Sequence, residues 1–345
     1  MSRSSPLLLT ALSVVTLVGS GSAFAQARDT LSIVGSSTVY PFSTAVAENF
    51  GKGGRFKTPV VESTGTGSGF KLFCAGAGLQ TPDISNASRP ITASELATCA
   101  ANGVAAVDEI RIGYDGIILA SVAKAKQINV TLPQLWRATA KLVPVGGKWV
   151  PNPYKRWNEI DAKLPNKPIH IYGPAPNHGT RDAFVELVMD PSCRAAPEFA
   201  LVAKDEQKKT CQVIREDGEW TDVSEDYGLI MGKLAGDAQA MAIFTFSYLD
   251  QNRDKIRAAT VEGVAATLAT ISSAKYPISR PLFIYVKRGH IGVVPGLAEY
   301  VQEFVSARAA GADGYVVEKG LIPMPRKEFL EQQAKAKALS SASKR

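Results

Sequence analysis

The chain has 345 residues, of which 45% are hydrophobic and 21% are charged, proportions that are normal for a globular protein and exclude disorder. The formal net charge is +7, but the basic residues do not cluster with aromatic side chains as they do on a nucleic-acid surface. The composition therefore favours a folded protein of ordinary kind and gives no support to a nucleic-acid partner.

The N-terminal segment has the features of a secretory signal peptide. Arg3 precedes a short apolar run over residues 7–18, and "AFA" at 23–25 fits the small-x-small cleavage rule. The run is too short to span a membrane comfortably, and no Cys lies near the cleavage position. We therefore predict cleavage after Ala25, removal of residues 1–25, and a soluble periplasmic protein.

The next part of the chain repeats one plan three times: a short strand, a turn of small residues, and a helix. The plan is visible in "LSIVGSSTVYPFSTAVAENF", "TPVVESTGTGSGFKLFCAG" and "DISNASRPITASELATCA", whose helix begins at about Thr92. Further strand-like runs are "EIRIGYDGIILAS", interrupted by Gly113 and Gly116, and then "KPIHIYG", "AMAIFTFSYL" and "RPLFIYVKR". The alternation predicts an α/β fold with mainly parallel strands.

Two segments fall outside this plan. "LVPVGGKWVPNPYKRWNEID" predicts an ordered loop and the start of a helix, with its aromatic residues packed in the protein. A sugar-stacking site is the alternative, but no paired carboxylates accompany the aromatic residues. The C-terminal "KEFLEQQAKAKALSSASKR" predicts a solvated helix that frays.

The four cysteines lie far apart and form no CxxC motif; they are Cys74, Cys99, Cys193 and Cys211. Export favours disulfides, and pairing each cysteine with its neighbour closes the shortest loops. This pairing is a preference among the three connectivities that four cysteines allow. A zinc site is less favoured, because the three histidines show no ligand spacing relative to the cysteines.

Four strand-to-helix junctions are rich in glycine and hydroxyl residues: "GSSTVYP", "STGTGSGF", "SNASRP" and "PNHGTRDAF". We call them the first to the fourth loop. Such junctions lie at the carboxyl ends of strands, where α/β proteins bind ligands. "GTGSG" is not GxGxxG and lacks the lysine of a nucleotide phosphate loop. The four loops together predict a crevice lined with N–H and O–H donors, which suits a small anion.

The fourth loop combines a helix start, a glycine, a hydroxyl and a cation. A helix start presents unpaired N–H donors and a positive dipole end. Arg89 in the third loop and Arg181 in the fourth add guanidinium forks that match a tetrahedral oxyanion. The alternative for the fourth loop is an ordinary capped helix, with Arg181 on a solvated face.

In order and spacing, these loops resemble those of the phosphate-binding proteins of bacterial high-affinity phosphate ABC transporters. The resemblance runs from "IVGSSTVYPF" to "YPISRPLFIYV", and its most specific pieces are "GSSTVYPF", "TGTGSGFK", "DISNASRPI" and "GTRDAFVELVM". It implies a type II periplasmic binding protein fold, in which two α/β lobes joined by a hinge close over a dehydrated phosphate. We expect lobe I to comprise residues 26–115 and 280–345, and lobe II to be the inserted residues 116–279.

The resemblance also implies which residues contact phosphate. They are Ser37, Thr38, Val39, Thr66, Gly67, Ser68, Ser88, His178, Gly179 and Thr180. The chain departs from the family at three places, with Ser88 for an Asp, His178 for a Ser, and Pro174 where the usual arginine lies. The family's Asp accepts the phosphate proton and repels sulfate, so Ser88 weakens the expected exclusion of sulfate.

We expect Arg89 and Arg181 to replace the charge of the missing arginine from neighbouring positions. The alternative for Arg89 is a salt bridge at the edge of its lobe. For Arg181 it is a surface pair with Asp182 or Glu186. We expect His178 to be a plain N–H donor or a rim residue, because no orienting partner or acid is evident for nucleophilic or general-base use.

The leading hypothesis is therefore a monomeric binding protein that delivers inorganic phosphate to the membrane subunits of an ABC transporter. It implies no catalytic residue, no cofactor and no metal. A binder of another tetrahedral oxyanion, such as sulfate or phosphite, is a close alternative. A secreted phosphatase on the same fold and a matrix or adhesion protein are alternatives of other classes.

Overall fold

The computed structural model describes residues 28–176, 178–224 and 226–342. The predicted signal peptide and its cleavage after Ala25 lie outside these residues. The first two residues of the expected lobe I, 26 and 27, and its last three, 343–345, also lie outside them.

The strands follow the chain as β1 (Ser32–Gly35), β2 (Val60–Ser63), β3 (Ile84–Ala87), β4 (Val107–Val122), β5 (Asn129–Val130), β6 (Leu142–Val145), β7 (Lys148–Pro151), β8 (Ile171–Pro174), β9 (Trp220–Ser224), β10 (Met241–Thr245), β11 (Ile256–Ala258), β12 (Thr260–Val261) and β13 (Ser279–Lys287).

The helices are α1 (Tyr40–Lys52), α2 (Thr66–Phe73), α3 (Ala93–Ala101), α4 (Leu132–Thr139), α5 (Trp157–Ile160), α6 (Gly179–Phe184), α7 (Asp190–Arg194), α8 (Gln207–Cys211), α9 (Tyr227–Ala235), α10 (Phe246–Gln251), α11 (Leu268–Ser272), α12 (Leu297–Phe304), α13 (Ala307–Ala310), α14 (Tyr315–Glu318) and α15 (Arg326–Ala342). A π-helical turn, Val185–Met189, joins α6 to α7, and short 3₁₀ turns occupy Pro197–Leu201 and Arg288–His290. Among the helices that the structure describes, none has the length and apolar character needed to cross a membrane.

The main sheet has the strand order β2-β1-β3-β13-β4-β10-β8-β9, and β11 also pairs with β4. On one side β1 pairs in parallel with β2 and β3, and on the other β8 pairs in parallel with β9 and β10. The two central strands, β13 and β4, run antiparallel to each other and to their outer neighbours. The predicted α/β class is confirmed, whereas the antiparallel centre is a feature that strand–helix alternation did not predict.

The expected interruption of β4 at its glycines is wrong, because β4 is one continuous strand of 16 residues. Gly113 serves a close approach instead, since a Cβ atom there would lie 2.7 Å from the carbonyl oxygen of Ile322. Tyr114 and Ile322 exchange two backbone hydrogen bonds of 2.9 Å. The glycine therefore admits a crossing segment of the chain without breaking the strand.

Two large hydrophobic cores lie along β4. Ile110 and Ile112 pack in the core that contains residues of β1, α1, α12 and α15. Residues 117–120 pack in the other core, together with residues of α4, α6, β8 and β10. Two cores joined by one long strand, β4, give the two-lobed architecture that was predicted.

Two other segments were predicted only in part, although their helices are confirmed as α5 and α15. Residues 142–151 are not a loop but the hairpin β6–β7, whose turn glycines Gly146 and Gly147 have φ values of 59° and 77°. A Gly-Gly pair with positive φ is a preferred two-residue hairpin turn, so the sequence contained this signal. Helix α15 is not fully solvated, because Ala336 and Leu339 are buried in the first core.

Both preferred disulfides, Cys74–Cys99 and Cys193–Cys211, are confirmed. The first joins the end of α2 to α3, and the second joins α7 to α8. Because all four cysteines are paired, the zinc alternative has no thiolate ligands.

Candidate anion-binding site

The first and fourth loops touch each other. The Ser37 hydroxyl donates a hydrogen bond of 2.5 Å to Oδ2 of Asp182, across 145 positions of the chain. A Cβ atom at Gly179 would lie 3.3 Å from Cα of Thr38. Glycine at this position therefore lets the start of α6 come close to the turn that follows β1.

The second and third loops meet through two buried hydroxyl groups. Oγ1 of Thr66 and Oγ of Ser88 are 3.0 Å apart, and the Ser88 N–H donates to the same Thr66 oxygen over 3.2 Å. The second loop also reaches the first, because a Cβ atom at Gly69 would lie 2.5 Å from Cα of Gly35. All four loops therefore meet in one cluster, at the carboxyl ends of β1, β2, β3 and β8.

A cleft of about 430 Å³ opens between the second and third loops, the helical segment after the fourth loop, and β13. Its wall combines glycine and hydroxyl groups with two arginines and one carboxylate. The lining residues are Thr66, Gly67, Ser88, Arg89, Pro90, Glu186, Leu187, Arg280 and Pro281. A concave surface with convergent donors and cations has the chemistry that a small oxyanion needs.

Arg280 is a buried cation of this cleft that we predicted from the sequence only as the boundary of a lobe. Its Nη2 donates to Oγ1 of Thr38 over 2.9 Å, and its Nη1 donates to Oε2 of Glu186. Its Nε lies 3.5 Å from Oδ2 of Asp115. The available signal was a cation at the edge of the apolar run "RPLFIYV", where a strand that is buried among helices has little use for charge.

Asp115 faces Arg280 from the neighbouring strand. Its side chain is buried, and its Oδ2 has no hydrogen-bond partner among the described residues. Burial raises the pKa of the Asp115 carboxyl, and the nearby Arg280 opposes that rise. One guanidinium thus lies between a buried carboxyl group and the carboxylate of Glu186.

Arg89 lies at the edge of the cleft, and its guanidinium already has a partner. Nη1 and Nη2 donate to the two carboxylate oxygens of Glu95 over 2.9 and 2.7 Å. The guanidinium carbon also lies 5.5 Å from the centre of the Phe70 ring. The hydrogen bonds from Arg89 lower the pKa of Glu95 to about 2. This is the lobe-edge salt bridge that we gave as the alternative to ligand contact.

Arg181 is paired as well. Its Nη1 donates to Oδ1 of Asp222, and its guanidinium carbon lies 4.7 Å from the centre of the Trp220 ring. Its carboxylate partner is therefore neither Asp182 nor Glu186, which were the alternatives from the sequence. Arg181 also lines a second groove, of about 810 Å³, between α6 and α8.

His178 is the N-cap of α6. Its Nδ1 accepts the N–H of Thr180 over 3.0 Å, so this nitrogen is an acceptor, whereas we expected an N–H donor. The buried Thr180 hydroxyl forms a hydrogen bond with the hydroxyl of Tyr227, whose pKa is raised by burial. Both polar groups that Thr180 was expected to offer an anion thus have partners within the protein.

The remaining predicted residues differ in exposure. Val39 is fully buried in the first core, next to the turn. Gly67 and Ser68 are exposed in the first turn of α2. Of these three residues, Gly67 lines the cleft, whereas Ser68 and Val39 are not among its lining residues.

The comparisons with known proteins agree with this architecture. A profile of the PBP superfamily domain matches residues 20–308. The chain is 29% identical over 313 residues to Protein SphX from Synechocystis sp., an alignment that covers 88% of this chain and 81% of that protein. It is 27% identical over 306 residues to the phosphate-binding protein PstS from Staphylococcus saprophyticus, with 87% and 82% of the two chains covered.

One solved structure shares its fold with this chain over most of the length of both proteins. It is described as a possible phosphate binding protein from Planctomyces limnophilus, with a TM-score of 0.70 and 26% identity. The match covers 90% of this chain and 98% of that one. The Planctomyces protein and PstS are both named as binding proteins. This agrees with the expectation that the chain is not an enzyme.

Proposed function

The chain belongs to the PBP superfamily, and we propose that it binds inorganic phosphate in the cleft between its lobes. The observation that carries the proposal is the meeting of four donor-rich loops, seen in the Ser37–Asp182 hydrogen bond and the Thr66–Ser88 contact. The relatives support phosphate as the ligand, because PstS from Staphylococcus saprophyticus is named a phosphate-binding protein.

We propose that the phosphate contacts the loop residues predicted from the sequence. They are Ser37, Thr38, Val39, Thr66, Gly67, Ser68, Ser88, His178, Gly179 and Thr180. These residues carry N–H and O–H groups and no fixed positive charge. Some of them, such as the Ser37 hydroxyl and the Thr180 N–H and hydroxyl, must exchange a partner within the protein to bind the anion. An anion of the wrong shape would leave some of these donors buried and unpaired, and that penalty is the source of specificity.

In this proposal Arg89 and Arg181 lie at the edge of the site. Each already has a carboxylate partner, Glu95 for the first and Asp222 for the second. Either arginine contacts phosphate only by exchanging this partner or by using a second N–H group. Their direct contact with the ligand is therefore a prediction that substitutions must test.

We propose that residues 26–115 and 280–345 form lobe I and that residues 116–279 form lobe II. Most residues of the two hydrophobic cores follow this division, and β4 contributes residues to both cores. Tyr114, Ile322 and Met324 of the expected lobe I pack in the core of lobe II. Hinge closure on the ligand follows if β4 bends between the two cores. Small-angle scattering should show a smaller radius of gyration with phosphate, and an unchanged radius would contradict closure.

We propose further that the protein is exported to the periplasm, with cleavage after Ala25, and acts as a monomer. It then delivers phosphate to the membrane subunits of an ABC transporter. The family resemblance and the PBP superfamily match support this role. Cells that lack the protein should take up labelled phosphate more slowly, and expression of the parent chain should restore uptake.

A binder of sulfate or phosphite is the second candidate. One observation favours it: Ser88 presents a hydroxyl group, hydrogen-bonded to Thr66, where the family resemblance leads us to expect a carboxylate. A hydroxyl group repels sulfate far less than a carboxylate does.

Titration calorimetry on ligand-stripped protein separates these candidates. Phosphate, sulfate and phosphite are titrated in turn at one pH and one ionic strength. The proposal expects one phosphate per chain and the tightest binding for phosphate. Tighter binding of sulfate or phosphite would favour the second candidate, and no heat with any of the three anions would contradict both.

A further inference from the structure

Arg280 has donors to spare at the centre of the proposed site. Its side chain is 9% exposed and lines the 430 Å³ cleft. Among the described residues, Nη1 donates to Glu186 and Nη2 donates to Thr38. Its Nε has no hydrogen-bond partner there. A guanidinium has five N–H groups, so Arg280 can hold a further oxygen atom while it keeps Thr38 in place.

The two carboxyl groups beside Arg280 differ in their freedom to move. The Asp115 side chain is 8% exposed and lies on the central strand β4. The Glu186 side chain is 52% exposed and lies on the π-helical turn, so water can take over its hydrogen bond when it moves. Exposed ion pairs contribute little to stability, so Glu186 is the partner that Arg280 can release at low cost.

Charge gives a reason for such a release. The Glu186 carboxylate offsets the positive charge of the guanidinium, so the pair attracts an approaching anion less than Arg280 alone does. If Glu186 moves away, this attraction returns and Nη1 becomes available on the side that lines the cleft. The half-exposed carboxylate and an anion in the cleft therefore compete for the same donor.

We infer that Arg280 is the principal cation of the phosphate site and that Glu186 competes with phosphate for its Nη1 donor. The inference rests on the proposed phosphate-binding function. It assigns to Arg280 the role of charge donor that we expected from the sequence for Arg89 and Arg181. All three arginines donate to a carboxylate, but Arg280 also donates to the loop residue Thr38, whereas the other two pack against an aromatic ring.

The test uses the full mature chain, stripped of ligand, and calorimetry with inorganic phosphate at fixed pH and ionic strength. Glu186→Gln should bind phosphate about twofold to fivefold more tightly than the parent, the range that a half-exposed ion pair allows. Arg280→Gln should bind it at least about 30-fold more weakly, as truncation of a buried charge partner predicts. Glu299→Gln is the matched control, because Glu299 lies on α12 and pairs only weakly with Arg55, at 3.8 Å.

The double variant shows whether Glu186 acts through Arg280. In the Arg280→Gln background, the gain from Glu186→Gln should disappear, because the contested donor is gone. If Glu186→Gln still raises phosphate affinity in the Arg280→Gln background, the effect comes from general removal of negative charge. That result would overturn the inference that Glu186 competes with phosphate for Arg280. An affinity for phosphate in Glu186→Gln no higher than in Glu299→Gln would overturn it as well.

Folding and function are kept apart in this design. Thermal unfolding shows whether each variant folds. If Arg280→Gln does not fold, the phosphate affinities of Arg280→Lys and Glu186→Gln test the inference instead. Glu186→Gln should fold, because Glu186 is half-exposed. A folded Arg280→Gln that keeps the parent affinity removes Arg280 from the site and leaves the proposed function intact. A parent chain that binds no phosphate instead contradicts the proposed function, and this inference with it.

Discussion

Asp115 and Arg280 are register partners at the point where the two central strands run antiparallel. Nε of Arg280 lies 3.5 Å from Oδ2 of Asp115, and both side chains are buried. The pair lies at the proposed boundary between the lobes, and Arg280 lines the cleft. A change in this pair should therefore affect both stability and ligand binding.

Asp115→Asn should change how stability depends on pH. Burial raises the folded-state pKa of Asp115 above its ordinary value of 3.8, so in the range above that value the folded protein binds more protons than the unfolded chain. The contribution of this group to the free energy of unfolding therefore falls as the pH rises. Relative to the parent, Asp115→Asn should become progressively more stable as the pH rises above about 4. Denaturant unfolding at several pH values measures the difference, and a difference that does not vary with pH would contradict the prediction.

Removal of the Cys193–Cys211 disulfide should lower the free energy of unfolding by about 3 kcal/mol. The bridge joins residues 18 positions apart, and its loss gives the unfolded chain more conformational freedom. Denaturant unfolding of the double Cys→Ala variant measures the loss. The Cys74–Cys99 bridge spans 25 positions and should give a similar value, so the two variants control for each other. A variant as stable as the parent would show that the loop is already ordered in the unfolded chain.

Lys287 should make the protein more stable in mildly alkaline solution. It is buried, and burial lowers its pKa to about 8, against 10.5 in the unfolded chain. Between these values the unfolded chain binds more protons, so the free energy of unfolding rises with pH. From pH 7.5 to pH 9.5 the rise from this group should be at most about 2 kcal/mol.

The control for this prediction is a lysine on the surface. Lys287→Met should lose the rise between the two pH values, whereas Lys57→Met, at a side chain that is 65% exposed, should keep it. Denaturant unfolding of the three proteins measures the effect. A rise of equal size in Lys287→Met would assign it to another group.

Much of the fold could be predicted because its signals are local. The strand–turn–helix units at the start of the chain, the cap at Thr92 and the neighbouring disulfide pairs depend on residues close in sequence. The antiparallel pairing of β13 with β4 depends on residues about 170 positions apart, and no local pattern specifies it. Alternating strands and helices favour parallel pairing, so the rule failed at β4 and β13, the two central strands of the sheet.

The candidate site also has parts that local sequence signals predict and parts that they do not. Its loops were predicted, because small residues after a strand mark the carboxyl edge of a sheet. Arg280 was missed as a site residue, because only the register of β13 against β4 brings it to Asp115 and Thr38. The partner of Arg181 was missed for the same reason, since Asp222 reaches it through the parallel pairing of β8 with β9.

Ser88→Asp should make the site more selective for phosphate over sulfate. Ser88 is buried against Thr66 in the cleft wall. A carboxylate there can accept the proton of hydrogen phosphate but repels sulfate, which has none at neutral pH. We expect the ratio of phosphate to sulfate affinity to rise at least about tenfold. Calorimetry measures both affinities, and Ser88→Asn, which lacks the charge, should keep the parent ratio. An unchanged ratio in Ser88→Asp would place anion selection outside the third loop.

Arg181→Ala decides whether this arginine belongs to the site. A direct, buried contact with phosphate would lose about 30-fold to several thousandfold in affinity. The structure pairs Arg181 with Asp222 and stacks it on Trp220, so its charge is already balanced within the protein. We therefore expect a loss of less than about fivefold in phosphate affinity. Stability should fall by about 1 kcal/mol from the lost stacking and pairing.

Substitutions of two neighbouring residues, Asp222 and His178, show how the result for Arg181→Ala is to be interpreted. Asp222→Asn frees the guanidinium, so it should raise phosphate affinity only if Arg181 can reach the ligand. His178→Ser should have little effect, because Ser is a good N-cap and can accept the Thr180 N–H in place of Nδ1. Phosphate titrations at fixed ionic strength, with unfolding curves for each variant, separate binding from folding. If a folded Arg181→Ala loses 30-fold or more, and Asp222→Asn gains affinity, then Arg181 exchanges Asp222 for phosphate and is a direct contact, as the fourth loop alone suggests.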